Sequence, residues 1–373
     1  MQAEVPLRCG TLKLRIDRAD VGLEDLCGFA SRRSHKRGFV FVSKVLGKHY
    51  PVRPSVMARM HDRLADKLAE LPGPVVLIAM AETATGLGQG IYESWQRRTG
   101  RHDHLFLNTT RYRLQHPQAL SFDESHSHAT EHLLYEPTGR EHAELFRRAK
   151  TLVLVDDEIS TGRTLAKLAS AFRTVSSNLA AVHLVCLTDW LDAADRIACV
   201  ERIGLPTTFH SLLQGHFEFI PNAAFDPGPI PNVIGVGDGK DFCLPRNDGR
   251  LGVSGLLQID LDAMIRKADV QVGQRLLVLG SGEFTYPPFL LARRLETLGW
   301  DVIYQSTTRS PLLVDGDITS ANEFIDNYHD GMPNYLYNVA DRNYDRVIIG
   351  YETEPLPSAH TLPQMLGATP IYF

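Results

Sequence analysis

The sequence predicts an α/β protein, with a parallel sheet flanked by helices followed by a second, Rossmann-like α/β domain. Two kinds of observation predict it. Short, largely apolar runs read as strands covered on both faces, and stretches with helical spacing separate them, as βαβ units require. The length, 373 residues, exceeds what a single ordinary core holds and points to two domains, placed at 1–235 and 250–373.

In chain order, the first strands are "PVVLIAMA" (74–81), "HLFLNT" (104–109), "TLVLVD" (151–156) and "AVHLVCLTD" (181–189). After the third, Leu165, Leu168, Ala169, Phe172 and Val175 fall on one face of a helix that covers the sheet. Between Pro221 and Gly252 prolines and glycines accumulate, which reads as a linker or an irregular connection. A second α/β pattern follows: "QRLLVLGSGEF", the helical "PPFLLARRLETLG", "DVIYQS" and, near the end, "DRVIIGYE". No internal repeat or low-complexity tract is evident.

Composition narrows the function. Hydrophobic content of 43% and charged content of 22% suit a soluble globular protein. A net charge of −5 gives no positive field for a nucleic acid, although local donors can still hold small anions. The N-terminus lacks the order of a signal peptide, and no apolar run approaches the ~20 residues of a membrane span. Five scattered cysteines with no CxxC pair suit a reduced, cytoplasmic setting.

The most informative stretch is the end of the third strand, where Asp156, Asp157 and Glu158 precede a Ser-Thr-Gly-Arg-Thr turn. Backbone N–H groups from Ser160 to Thr164 would open a helix, where unpaired donors and the helix dipole suit a phosphate. Gly162 allows close approach, Ser160, Thr161 and Thr164 add hydroxyls, and Arg163 adds charge. Asp156 and Asp157 would then lie a sugar's length away, able to accept from vicinal ribose hydroxyls and to bias a nearby Mg2+, directly or through water. A ribose 5-phosphate satisfies both halves. No GxxxxGK[ST] is present, so a Walker site is excluded.

"VLVDDEISTGRT" resembles the 5-phosphoribosyl 1-diphosphate (PRPP) motif of type I phosphoribosyltransferases. Ser160 stands where purine-salvage members usually carry an Asp and orotate-type members a hydroxyl, which favours the orotate-type branch. The resemblance implies further site residues. "AMAETATGLGQG" (79–90) is similar to the pyrophosphate loop, giving Glu82, Thr83, Ala84, Thr85, Gly86 and Gly88. "FVFVSKVLGKHYPV" (39–52) resembles a segment that brings basic groups into the site, giving Lys44, Lys48 and His49. The long polar stretch 109–134 takes the place of the flexible catalytic loop, with Glu124, His126, His128 and His132 handling protons or leaving pyrophosphate and Arg111 and Arg113 supplying charge. The competing readings are a plain exposed loop and a transition metal on the three histidines. The basic run "SRRSHKRG" (31–38) is read chiefly as surface charge, the alternative being that Arg32, Arg33, Lys36 and Arg37 reach the diphosphate across a dimer interface.

In the second domain "VLGSGEFTYPPF" (278–289) lacks the third glycine of GxGxxG, and the next strand ends without an acid for a ribose, which argues against a dinucleotide. "STTRSPLL" (306–313) offers Thr308, Arg309 and Ser310 as an anion site. It matches the motif of the TRSP domain, found fused behind orotate-type phosphoribosyltransferase domains in bacterial tellurite-resistance and stress-response gene clusters. The resemblance therefore implies a phosphoribosyltransferase that uses PRPP and Mg2+, with a small-molecule acceptor, in a homodimer, with neither nucleic acid nor membrane as partner. The alternative is a non-catalytic PRPP sensor.

Overall fold

The computed structural model describes residues 1–34, 37–68, 70–123, 131–231, 239–340 and 342–373. The four apolar runs and a fifth strand, Thr207–Pro221, form one parallel sheet. Its spatial order is His104–Asn108, Val75–Ala79, Thr151–Val155, Ala181–Asp189, Thr207–Pro221, or 2-1-3-4-5 along the chain. Gly10–Ala19 and Gln2–Leu7 extend the sheet antiparallel beyond Thr207–Pro221. All residues of the three strands on the other side of the sheet, His104–Asn108, Val75–Ala79 and Thr151–Val155, are buried. Alternate side chains feed two cores: Leu77, Ala79 and Val153 pack with the helix Thr85–Thr99, and Ile78, Leu152 and Leu154 with the helix Arg163–Val175.

This strand order places the site. The order reverses between Val75–Ala79 and Thr151–Val155, so their following loops diverge to opposite faces and leave a crevice at the carboxyl ends of the strands. Those loops are the glycine- and threonine-rich stretch after Ala79 and the acidic turn after Val155.

The second sheet is also parallel, in the order Asp301–Ser306, Arg275–Gly280, Arg346–Tyr351, Thr369–Tyr372. The helix Tyr286–Thr297 joins it to the first: Phe289, Leu291 and Leu295 share a hydrophobic core with Leu87, Ile91 and Met57. The two sheets thus lean on common helices.

A hairpin of Cys27–Ser31 and Phe39–Ser43 arches over the crevice. The chain just beyond Ser310 is stitched to it: Arg33 N–H donates to Pro311 O (3.0 Å), Leu313 N–H to Ser31 O (2.9 Å) and Asp317 N–H to Phe29 O (2.8 Å).

Two segments differ from their expected form. The stretch read as a long loop contains an antiparallel hairpin, Gln118–Asp123 with Glu131–Tyr135, anchored by buried Leu133, Leu134 and Tyr135. The proline- and glycine-rich connection is irregular but not loose in its described second half. Lys240, Cys243, Leu244, Arg250 and Leu251 are all buried there, and Lys240 is ion-paired with Asp330 at 2.5 Å. Among the described residues, no helix is long and apolar enough to cross a membrane.

Candidate active site

The acidic turn is held by the sheet itself. Asp156 N–H donates to Val185 O at 3.0 Å, the Asp156 carboxylate accepts Asp157 N–H at 2.9 Å, and Glu158–Ile159 pair with Thr188–Asp189 as a two-residue strand. Gly162 then caps the helix Arg163–Val175 at φ +64°, a left-handed conformation that suits glycine. A Cβ there would sit 2.8 Å from Cys199 Sγ, so packing as well as backbone geometry demands glycine. The first helical bond is Ala166 N–H to Gly162 O, which leaves the preceding N–H groups without a helical acceptor and able to take an anion.

Across the switch point, Met80 N–H donates to Val155 O (2.9 Å) and Ala81 N–H to the Thr109 hydroxyl (2.8 Å). His132 Nδ1 lies 3.1 Å from the same hydroxyl. The Ala81–Glu82 peptide is cis. Glu82 is buried between two cations, with Lys48 Nζ at 2.7 Å and Arg309 Nε at 3.4 Å. Burial alone would raise its pKa, but Lys48 and Arg309 together outweigh it and hold the carboxyl below its usual range. For Lys48 burial prevails over Glu82 and draws the ammonium below its usual value. Arg309 also lies over the Tyr112 ring, 4.8 Å from its centroid.

These elements enclose one cavity of about 220 Å3. It brings together most of the residues singled out in the sequence: Asp156, Asp157, Ser160, Thr161, Gly162, Arg163 and Thr164 from the acidic turn, Glu82 and Thr83 from the loop opposite, and Arg111. Thr308, Arg309 and Ser310 line the same cavity, so the residues of the two expected anion sites meet in one place. His49 also lines it. Burial and the neighbouring Lys48 pull this imidazole down to about 3, so it is neutral at physiological pH.

Other expected residues lie elsewhere. Lys44 is ion-paired with Asp317 at 3.0 Å and Lys48 is buried, donating to Gly282 O at 2.8 Å; neither lines the cavity. Nor do Ala84, Thr85 and Gly86. The Thr85 hydroxyl contacts Glu283 O (3.2 Å) and the Thr285 hydroxyl (3.0 Å), and a Cβ on Gly86 would come within 2.8 Å of Thr285 Oγ1. Their close approach is to the second domain. Glu124, His126 and His128, with Lys36, lie outside the described residues.

Sequence reasoning missed three features. Arg32 and Arg37, read as surface charge, line the cavity with Val40 and Phe41. Tyr112 packs between Tyr328, 4.6 Å away, and Arg309. Glu283, in the stretch tested as a dinucleotide motif, instead holds the base of the 109–134 segment: its carboxylate accepts the Thr110 hydroxyl at 2.6 Å and Arg111 N–H at 2.7 Å. Arg250 supports it at 3.2 Å while gripping Glu352 through two bonds of 2.8 and 2.9 Å.

Residues 26–216 match the model of a family described as phosphoribosyl transferase, and residues 247–366 that of the TRSP domain that lies C-terminal to it. The chain belongs to the phosphoribosyl transferase family. Solved structures similar to this transferase include an adenine phosphoribosyltransferase from Giardia lamblia complexed with 9-deazaadenine, with 15% identity and a TM-score of 0.37, covering 53% of this chain and 99% of that one. Another is the adenine enzyme of Trypanosoma brucei in complex with AMP, pyrophosphate and ribose-5-phosphate, with 12% identity, a TM-score of 0.32 and coverage of 51% and 77%. No protein of curated function matches the transferase in sequence.

Proposed function

We propose that this phosphoribosyltransferase moves 5-phosphoribose from PRPP to a nitrogenous base or base-like acceptor and releases pyrophosphate. The observation that carries the reading is the pairing of Asp156 and Asp157 with the open helix N-terminus at Arg163, at the switch point of a doubly wound sheet. The 5-phosphate takes the donors of residues 160–164. Asp156 and Asp157 accept from the ribose hydroxyls. The diphosphate lies toward Ala81–Thr83, Arg111 and Arg309, where cationic charge meets the negative charge that grows as the C1–O bond breaks.

The donor set fits Mg2+: two adjacent carboxylates offer hard oxygen ligands, and Mg2+ characteristically binds one or two carboxylates, several waters and substrate phosphates. When bound, it would neutralise diphosphate charge. Ser160, a hydroxyl where an acid would face a purine ring nitrogen, suits an orotate-type acceptor. The test is acceptor-dependent pyrophosphate release from PRPP and Mg2+ over a panel of bases. Tight PRPP binding without release for any base would favour a sensor.

A further inference from the structure

A second cavity, of about 330 Å3, opens between the helices Arg163–Val175 and Ala193–Ile203. Two stripes of side chains build it: Arg163, Ala166 and Lys167 at helical positions i, i+3 and i+4, and Asp195, Ala198, Cys199 and Arg202 at i, i+3, i+4 and i+7. The small residues of each stripe leave the room. The helices are tied along the groove: Cys199 Sγ–H donates to Gly162 O at 3.6 Å, the Ser170 hydroxyl to Arg202 O at 2.7 Å and Arg173 Nη1 to Ile203 O at 2.8 Å.

The groove gathers three cations, Arg163, Lys167 and Arg202, against one acid, Asp195, in a chain whose net charge is −5. All three cations are exposed, so a ligand can reach them. Their placement works against the helix that carries two of them. Arg163 is the first helical residue, where the dipole favours an acid, and no acid stands in that first turn. Lys167, one turn on, adds a like charge beside it. Among the described residues the Arg163 and Arg202 guanidinium groups form no ion pair. An anion lying along the groove would turn this repulsion into attraction.

The wall between the groove and the active site is a single turn of chain. Thr161 and Arg163 line both cavities, with Gly162 between them. We propose that the groove is a second anion site, that it takes linked phosphates rather than a lone one, and that its occupation weakens PRPP binding. Cations spread over two helices match an anion with two or more phosphate groups. The opposition follows because the outer anion and the 5-phosphate share one helix N-terminus and call on the same two residues, Thr161 and Arg163. By linkage, PRPP weakens the outer anion by the same factor. Binding in the groove stands apart from the reading of the active site, while its effect on PRPP rests on the transferase reading. Two sources offer linked phosphates: the pyrophosphate released at the active site and a nucleoside triphosphate.

The test is calorimetric titration of inorganic pyrophosphate, ATP and adenosine into the full chain saturated with PRPP and Mg2+, so that the active site is filled. One site for pyrophosphate or ATP is expected, and none for adenosine. Tighter pyrophosphate marks the reaction product as the source, and tighter ATP a nucleotide. Lys167→Gln/Arg202→Gln should weaken that site about tenfold or more. Arg147→Gln/Arg148→Gln, which removes the same charge from an exposed place elsewhere, should leave it within about twofold. The tighter ligand should also lower PRPP affinity at least about fivefold more in the unmodified chain than in Lys167→Gln/Arg202→Gln, since competition inside the active site is common to both and cancels. No binding to the PRPP-saturated chain, adenosine binding as tightly as ATP, equal weakening by the two variants, or an equal effect on PRPP in both proteins would overturn the proposal. Failure of the unmodified chain to bind PRPP would instead overturn the transferase reading, and the pyrophosphate and ATP titrations would still decide the groove.

Discussion

The Glu283 carboxylate accepts the Thr110 hydroxyl at 2.6 Å across 173 residues of sequence. Through this bond and its 2.7 Å neighbour to Arg111 N–H, a turn of the second domain fixes the base of the segment that brings Arg111 to the cavity. The same turn holds Lys48 through Gly282 O and Thr85 through Glu283 O. The second domain is therefore part of the machinery that positions the site.

Glu283→Ala should lower turnover at least about tenfold and cost about 2 kcal/mol of stability, since it unties a hydroxyl and an N–H and removes one of Arg250's two carboxylate partners. Glu283→Gln keeps an acceptor oxygen and should recover most of the stability. Urea unfolding and steady-state kinetics on the two variants check this.

Arg309→Ala should weaken PRPP binding about tenfold or more and remove one of the cations paired with Glu82. Adding Glu82→Gln should restore part of the loss, because the pair shares charge in a buried place. A double-mutant cycle on PRPP affinity measures this coupling; additive losses would deny it.

Gly162→Ala should cost about 1–2 kcal/mol for the left-handed backbone alone, with more from the contact at Cys199. Cys199→Ala in the same chain relieves the contact but not the backbone. Partial recovery of Tm and of phosphate affinity is expected.

His49 and His61 are both pulled down to about 3, by burial first and by Lys48 or Arg293 second. Each is neutral in the folded chain while its unfolded counterpart takes a proton below about 6.5. The unfolded state thus binds more protons between those values, and stability falls as pH drops from about 6.5 toward 3. His61 packs on Phe289 at 5.3 Å, and replacing it with Gln should flatten the pH dependence of the urea midpoint in that window by about one proton's worth.

Much of this was legible in the sequence for local reasons. Apolar runs as unbroken as 152–155 have few options besides a strand buried on both faces, and a Gly two residues after Ser160 announces the tight turn into the helix. The joining of two domains in one site was not legible. Thr85 and Gly86 look like ligand-binding residues because the small size that admits a phosphate also admits Thr285. Lys44 and Lys48 look like substrate cations until Asp317 and Glu82, distant in sequence or on another loop, arrive beside them. Arg37 reads as surface charge because nothing local reveals that Phe39, Phe41 and Glu158 will enclose it.

Asp156 and Asp157 are the residues on which the assignment of the site turns. The most direct measurement is calorimetric titration of PRPP with Mg2+ into the unmodified chain and into Asp156→Asn/Asp157→Asn, with circular dichroism to establish that both are folded. One saturable site, weakened about a hundredfold or more in the double variant, is the expected result. PRPP binding that is absent from the unmodified chain, or equal in the two proteins, would contradict it.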